Sequence, residues 1–94
     1  TVALEFEWDL RKADTNLRKH RVTFQEASTV FADPLSATIQ DPDHSDVENR
    51  YLTIGLSIAG RILIIAHSER NNRIRIISAR KLTSPEKRHY EEQS

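Results

Sequence analysis

The chain has 94 residues, of which 37% are hydrophobic and 30% are charged, a composition that is ordinary for one small folded domain. It contains no cysteine, so disulfide bonds and thiolate metal sites are excluded, and a reducing cytoplasm is the expected location. No apolar run approaches the roughly 18 residues that a membrane-spanning helix needs, and no signal peptide is visible. We therefore expect a single cytoplasmic domain over residues 1–94.

The formal net charge is zero, but the charges are segregated along the sequence. Basic side chains dominate residues 11–21 and 70–88, while acidic side chains dominate residues 41–48. The neutral sum therefore conceals two basic regions and one acidic loop. Each region is interpreted either as an ordinary solvated surface or as a site for a charged partner, since the sequence supports both.

The first half of the chain predicts one strand and two helices. Large apolar residues alternate with smaller or acidic ones up to Trp8, which is typical of a half-buried strand. Asp9 is a suitable N-cap for a first helix that ends near position 21. Thr23 and Glu26 form a capping-box motif at the start of a second helix, and Pro34 ends it.

The second half predicts antiparallel strands. A short edge strand over 37–40 precedes an alternating strand over 50–58, and Ala59–Gly60 predicts a two-residue turn into the next strand. In this register the aliphatic residues of both strands share one face and form the core, while polar residues gather at one end. The predicted cross-strand pairs are Leu56 with Leu63, Ile54 with Ile65, Leu52 with His67, and Arg50 with Glu69.

The following turn decides the face on which Arg75 lies. A three-residue loop over 70–72 places Arg75 opposite His67, whereas a two-residue loop over 71–72 turns it to the other face. We predict the three-residue loop because it gathers the buried charges in one place. The serine as N-cap and the proline that follows, at 84–85, open a last helix. The predicted class is α+β: an antiparallel sheet with an N-terminal strand, two helices, a β-meander and a C-terminal helix.

The polar end of the predicted sheet is the best candidate for a functional site. Guanidinium groups bind phosphate through paired hydrogen bonds, and histidine or carboxylate groups transfer protons. The same residues can instead form a structural ion network, with Arg50 and Glu69 as a cross-strand pair. The candidate catalytic residues are His67, Glu48, Arg50, Glu69, Arg75 and Arg80.

Basic and aromatic side chains outside this cluster are candidates for binding RNA phosphates and bases. The alternatives are a solvated helix face, a histidine that caps the first helix, and a Tyr90 ring that packs on the sheet. The acidic loop around His44 lacks EF-hand spacing, so no metal site is expected. The candidate RNA-binding residues are Arg11, Lys12, Lys19, His20, Arg70, Arg73 and Tyr90.

Short motifs in a specific order resemble the BrnT toxin family, also known as the DUF497 domain, from Phe6 to about Tyr90. One departure is Arg21, which stands where the family usually has a glycine that suits a left-handed helix end. The motifs are Phe6-Glu-Trp-Asp9, Asn16-Leu-Arg-Lys-His20, Val22-Thr-Phe-Gln-Glu-Ala27, Val30-Phe-Ala-Asp-Pro34, Glu48-x-Arg50, Gly55, His67-Ser-Glu-Arg70 and Ile74-Arg-Ile-Ile-Ser-Ala-Arg80.

The resemblance implies a RelE-like fold and a bacterial type II toxin that cleaves RNA and arrests translation, with no cofactor. It also implies a BrnA-type antitoxin with a ribbon-helix-helix region, and a toxin–antitoxin complex that binds promoter DNA. Attack by the 2′-hydroxyl, leaving a 2′,3′-cyclic phosphate, is the natural route without metal. Two alternatives stay open: a non-catalytic module that binds RNA or protein, and a metal-dependent nuclease that uses the acidic loop.

Overall fold

The structure is a computed structural model that describes residues 4–43 and 49–93. No helix among these residues is long and apolar enough to cross a membrane. In chain order the elements are β1 (Glu5–Glu7), α1 (Leu10–His20), α2 (Phe24–Thr29), a 3-10 turn (Val30–Ala32), β2 (Ala37–Gln40), β3 (Arg50–Leu56), β4 (Ile62–Arg70), β5 (Arg73–Lys81) and α3 (Ser84–Gln93).

The five strands form one sheet in the order β1-β5-β4-β3-β2. The predicted α+β class and its succession of elements are confirmed. Strands β2 to β5 pair antiparallel as predicted, but β1 runs parallel to β5, so the sheet is mixed. A parallel pair needs a long crossover between its strands, and here the whole chain between β1 and β5 provides it.

The first hairpin differs from the prediction by one residue. Its loop has three residues, 58–60, because the N–H of Ser57 donates to the carbonyl of Arg61 at 2.8 Å and Gly60 takes a left-handed φ of 81°. The predicted cross-strand pairs are therefore wrong, and each side chain of β3 lies on the face opposite to the one predicted. The observed pairs include Leu56 with Ile62, Ile54 with Ile64, Leu52 with Ala66, and Arg50 with Ser68.

The hydrophobic core lies between the sheet and the helices α1 and α2. Strand β3 contributes Tyr51, Thr53 and Gly55 to this face. Leu52 and Ile54 are half-buried on the other face, and Leu56 is 48% exposed there, so their predicted place in the core is wrong. The core residues are Val22, Phe24, Ala27, Val30, Leu63, Ile65, Ile76 and Ala79, with Phe6, Trp8, Ala13, Phe31 and Ile74 packed against them.

Helix α1 is closed by a cap at each end. The Asp9 carboxylate accepts hydrogen bonds from the backbone N–H groups of Arg11 at 2.8 Å and Lys12 at 3.2 Å, as predicted for an N-cap. Arg21 takes the left-handed conformation, with φ 60° and ψ 33°, and its N–H donates to the Leu17 carbonyl. The chain therefore keeps a left-handed helix end although arginine replaces the expected glycine.

Helix α2 begins with half of the predicted capping box. The Thr23 hydroxyl accepts the N–H of Glu26 at 3.0 Å. The Glu26 carboxylate, however, binds the Ser57 hydroxyl at 2.7 Å and the Arg61 guanidinium. The arginine lowers the pKa of Glu26, and this pair ties the β3–β4 hairpin to α2.

Helix α3 covers part of the sheet face opposite the core. Its N-cap is Thr83 rather than the predicted Ser84: Glu86 accepts the N–H of Thr83 at 2.9 Å, and the Thr83 hydroxyl accepts the N–H of Glu86 at 3.4 Å. None of its residues is buried. An apolar cavity of about 640 Å³ lies between this helix and the sheet, with Ile64 and Tyr90 in its lining.

Gly55 allows the 3-10 turn to approach the sheet closely. An added Cβ would lie 2.8 Å from the Cβ of Ser36 and 3.0 Å from a methyl carbon of Val30. We expect Gly55→Ala to lower the free energy of unfolding by about 2–3 kcal/mol, because the turn must move away from β3. In the control Gly60→Ala the new methyl group meets no described residue within 4 Å, and only left-handed strain of about 1 kcal/mol remains. Urea unfolding of both variants measures the difference, and an equal or smaller loss in Gly55→Ala would contradict the close approach.

Candidate active site

A small pocket on the open face of the sheet, opposite the core, is lined by two arginines and two aspartates. Arg50 begins β3, Arg80 lies near the end of β5, and Asp41 and Asp43 follow β2. The pocket has a volume of about 250 Å³ and combines these charges with apolar side chains of the strands. The remaining lining residues are Leu52, Ile64, Ala66 and Ser78.

Arg50 is the pocket's incompletely bonded group. Within residues 4–43 and 49–93 its side chain makes no hydrogen bond or ion pair, and its Nε atom is buried without a partner. Leaving such a donor unpaired costs free energy, and an anionic ligand would supply the missing acceptor through a strong charge-assisted hydrogen bond. The surroundings of Arg50 therefore favour binding of an anion such as phosphate.

Arg80 is held by an ion pair with Glu86 of α3. Its Nη1 and Nη2 atoms donate to the two carboxylate oxygens of Glu86 at 2.7 and 2.9 Å. The hydrogen bonds from Arg80 lower the pKa of Glu86 to about 2, so the pair is charged throughout the neutral range. Glu86 thereby fixes the position of the Arg80 guanidinium beside the pocket.

Arg75 lies on the same open face, for a reason that differs from the prediction. Asn71 and Asn72 both take left-handed φ angles, 52° and 63°, so the β4–β5 loop has two residues and the predicted three-residue loop is wrong. Arg75 and Arg50 both pair with Ser68 across the strands and share its face. The Nη1 atom of Arg75 donates to Glu7 at 2.9 Å.

A β-bulge opposite the Ala66–His67 step brings Arg75 and Arg80 to one face. His67 pairs with Ile76 and Ala66 with Ser78, so β5 has one extra residue, at position 77. In a regular strand, two residues five positions apart lie on opposite faces. The extra residue restores a common face, and three predicted arginines are therefore gathered on it.

His67 lies on the core face, away from these arginines. It is only 2% exposed, and its ring packs between Phe31, with centroids 4.9 Å apart, and Tyr51, at 5.8 Å. Its Nε2 atom is 2.7 Å from the Thr53 hydroxyl, whereas its Nδ1 atom is buried and has no partner among the residues that the structure describes. Burial lowers the pKa of His67 to about 4, so the imidazole is neutral at pH 7.

Of the carboxylates predicted at the sheet end, Glu69 does not join the pocket. Glu69 pairs with Ile74 and is exposed on the His67 side of the sheet. Glu48 lies outside the described residues. Instead, Asp41 and Asp43 line the pocket, and they belong to the loop that the sequence suggested only as a metal site. In the described part of that loop, and elsewhere in residues 4–43 and 49–93, no group of three metal-binding side chains occurs.

Protonation of His67 is expected to destabilise the fold in acid. Its folded pKa of about 4 lies below the ordinary 6.5, so stability present at neutral pH is lost as the pH falls through this window. The full shift corresponds to about 3 kcal/mol. Urea unfolding at pH 7 and near pH 4 should show a larger loss for the wild type than for His67→Gln, which cannot titrate there. An equal loss in both proteins would contradict the burial of a neutral imidazole.

A second groove, the α1 groove, runs between α1 and β5 and has a volume of about 370 Å³. It collects four of the predicted RNA-binding residues. Arg18 is outside it and forms an ion pair with Asp14 at 2.7 Å. The α1 residues that line the groove are Arg11, Lys12, Thr15, Asn16, Lys19 and His20, and the β5 residues are Ile77 and Ser78.

The other predicted RNA-binding residues lie elsewhere. Arg70 and Arg73 are exposed and lie opposite each other in the strand pairing at the tip of the β4–β5 hairpin. The Arg73 side chain forms an ion pair with Glu5 at 3.1 Å. Tyr90 is half-buried and lines the cavity between α3 and the sheet.

Asn16 holds helix α1 against strand β5, a role that was not predicted from the sequence. Its amide nitrogen donates to the Ala79 carbonyl at 2.8 Å and to the Val22 carbonyl at 3.0 Å, while its oxygen accepts the Ala79 N–H at 3.0 Å. The side chain is 5% exposed. The signal available in the sequence was the spacing of three residues from Ala13, which puts Asn16 on the same face of the helix, where a buried amide requires partners.

The comparison with solved structures defines the class of fold. The crystal structure of the Brucella abortus ribonuclease toxin BrnT superposes with a TM-score of 0.68 at 18% sequence identity, covering 87% of this chain and 100% of that one. The chain thus has the fold of this small α+β toxin. No curated protein matches the sequence.

The sequence itself establishes the family. Residues 8–86 match the family described as the ribonuclease toxin BrnT of type II toxin-antitoxin systems. The chain belongs to this family, and the resemblance drawn from the motifs is confirmed.

Proposed function

We propose that the chain cleaves RNA in the Arg50–Arg80 pocket by attack of a ribose 2′-hydroxyl on the adjacent phosphate, without a metal ion. The family is one of ribonuclease toxins, and Arg50 is the reason for placing the chemistry here. Its buried Nε–H has no partner within residues 4–43 and 49–93, and a phosphate oxygen can supply the missing acceptor. Arg80 and Arg75, on the same face, add positive charge around that phosphate.

In the proposed reaction the 2′-oxygen bonds to phosphorus while the bond from phosphorus to the 5′-oxygen breaks. The 2′-hydroxyl proton passes to a carboxylate of the pocket, Asp41 or Asp43, and the leaving 5′-oxygen takes a proton from a protonated carboxyl or from water. The products are a 2′,3′-cyclic phosphate and a 5′-hydroxyl. Fixed guanidinium groups stabilise the charge on the phosphate oxygens in the transition state.

His67 has a structural role in this proposal. It was predicted as an acid or base, but its ring is on the core face and bonded to Thr53. It supports the packing of β3 on β4 and does not touch the RNA. A loss of activity in His67 variants would then follow the loss of folded protein.

In this proposal the α1 groove binds the part of the RNA that lies outside the pocket. Lysine and arginine side chains there neutralise phosphates, so affinity should fall with salt. The alternative function, a non-catalytic module that binds RNA or a protein through the same surfaces, predicts binding of RNA without cleavage.

In the cell, the proposed activity cleaves mRNA in the cytoplasm and inhibits translation. Membership of a type II system implies an antitoxin partner. We infer that it is a BrnA-type protein with a ribbon-helix-helix region, and that promoter DNA is bound only by the toxin–antitoxin complex. An acidic segment of the antitoxin would fit the basic surfaces, and its binding should weaken with salt.

Expression in bacteria tests this function. We expect growth arrest and loss of protein synthesis, with recovery when the neighbouring gene is expressed together with the toxin. Primer extension on cellular mRNA should reveal new 5′ ends before growth stops. Arrest with intact mRNA, or RNA binding without any cleavage by the purified chain, would favour the non-catalytic alternative.

A further inference from the structure

The α1 groove and the Arg50–Arg80 pocket meet at one residue. Ser78 lines both of them, although the groove lies beside α1 on the core side and the pocket lies on the open face. The two cavities are therefore neighbours across the edge of β5, and together they carry cations on both sides of it.

The edge of β5 is open at this point because of how its neighbours end. Strand β1 pairs with β5 only over Arg73–Arg75, and Asn16 holds the backbone at Ala79. Between these two contacts lie Ile76, which is buried, and the bulge residue Ile77 and Ser78, which are half-buried. The bulge thus occupies the short stretch where a ligand can pass from one face to the other.

The two lysines of the α1 groove flank Asn16 along the helix, and Asn16 binds Ala79, the neighbour of Ser78. Lys12 and Lys19 are seven positions apart, or two turns, and lie on one side of α1, where they span about 10 Å at 1.5 Å per residue. Arg18 does not line the groove and is already paired with Asp14. The two lysines therefore suit two phosphates of one extended nucleic-acid strand.

We propose that one single strand of RNA occupies both sites, crossing the β5 edge at Ile77 and Ser78. Its scissile phosphate lies at Arg50, and the flanking nucleotides lie in the α1 groove. Resting on the proposed function, this path selects single-stranded RNA, because a duplex is too stiff to turn around one β-strand. Ile77 presents an apolar side chain to the ribose or base at the crossing.

Binding of two 2′-O-methyl RNAs, which lack the attacking hydroxyl, tests the path. One has three nucleotides and fills the pocket alone, and the other, of about twelve, reaches the α1 groove. Wild-type protein should bind the longer RNA roughly tenfold or more tightly. Lys12→Gln/Lys19→Gln should remove this advantage and reduce the slope of log Kd against log salt by about 1.4. Arg18→Gln, the matched control, should change neither.

Ser78→Phe tests the crossing point itself, since the ring would block the passage between the cavities. The ratio of the two dissociation constants should fall to that of the double lysine variant, and combining all three substitutions should reduce it no further. Ile39→Phe places the same ring on an exposed part of the open face and should keep the wild-type ratio. A wild-type ratio in folded Ser78→Phe would overturn the path.

Crosslinking of wild-type protein gives a second test that needs no variant. The longer RNA carries 4-thiouridine at successive positions, and we expect crosslinks to α1 and to the Ile77–Ser78 peptide from neighbouring nucleotides. Crosslinks confined to other surfaces would overturn the path. If wild-type protein cleaves no RNA of any length, the proposed function itself fails, which is distinct from cleavage with an altered path.

Discussion

Replacing Arg50 with alanine is expected to reduce RNA cleavage by about 10²–10³-fold, because one fixed donor to the transition-state phosphate is lost. Arg80→Ala should have an effect of similar size. Neither residue belongs to the hydrophobic core, so both variants should remain folded. Single-turnover cleavage by purified protein measures the effect. Arg18→Ala, an exposed arginine outside the pocket, is the control and should retain wild-type cleavage.

Two further variants separate the chemistry from the ion pair of Arg80. Glu86→Gln weakens the bond to α3 but keeps the guanidinium, so it should lose less cleavage than Arg80→Ala. Arg50→Lys keeps the charge without the planar fork and should recover only part of the rate. Full cleavage and toxicity in folded Arg50→Ala and Arg80→Ala would place the active site elsewhere.

Replacing Ile65 with alanine is expected to lower the free energy of unfolding by about 2–5 kcal/mol, since this side chain is fully buried in the core. Leu56→Ala, on the other face and 48% exposed, should cost less than about 1 kcal/mol. Denaturant unfolding of the two variants compares them directly. Similar losses would contradict the three-residue hairpin loop, because a two-residue loop buries both side chains on one face.

Local signals in the sequence were sufficient for the elements of the fold. The caps at Asp9 and Thr23 act within three residues of their own position, so they could be predicted without knowledge of the tertiary structure. The register of β3 could not. It depends on whether Gly60 closes a loop of two or three residues, and alternating side chains fit either choice. Gly55 indicates which face of β3 is covered. A glycine inside a strand is typical of a place where another part of the chain approaches closely, and here the 3-10 turn does so.

The candidate site could be predicted only in part, because local patterns identify its residues but not the face on which each one lies. Arg50, Arg75 and Arg80 were recognised as costly charges on strands, and the structure gathers them on one face. Their common face depends on the bulge opposite His67, which no pattern in the sequence marks. His67 itself was assigned to the site by the incorrect register, although a histidine amid apolar strand residues is also typical of a buried, hydrogen-bonded position.

The aspartates of the pocket could not be predicted as site residues, because the sequence of a loop rich in Asp, Pro and Ser does not show where the loop lies relative to the sheet. Asp41 becomes buried only through the pairing of β2 with β3, where its N–H donates to the Arg50 carbonyl at 2.9 Å. That bond places the carboxylates beside Arg50. A tertiary contact of this kind cannot be deduced from residue types or spacing.

The central claim, cleavage of RNA through the 2′-hydroxyl in the arginine pocket, is tested most directly by the ends of the products. Purified protein is incubated with labelled single-stranded RNA in EDTA, beside the same RNA with 2′-deoxy residues. We predict fragments that end in a 2′,3′-cyclic phosphate and begin with a 5′-hydroxyl, and no cleavage at deoxy positions. Cleavage that requires a divalent cation, or that leaves a 3′-hydroxyl and a 5′-phosphate, would contradict the mechanism.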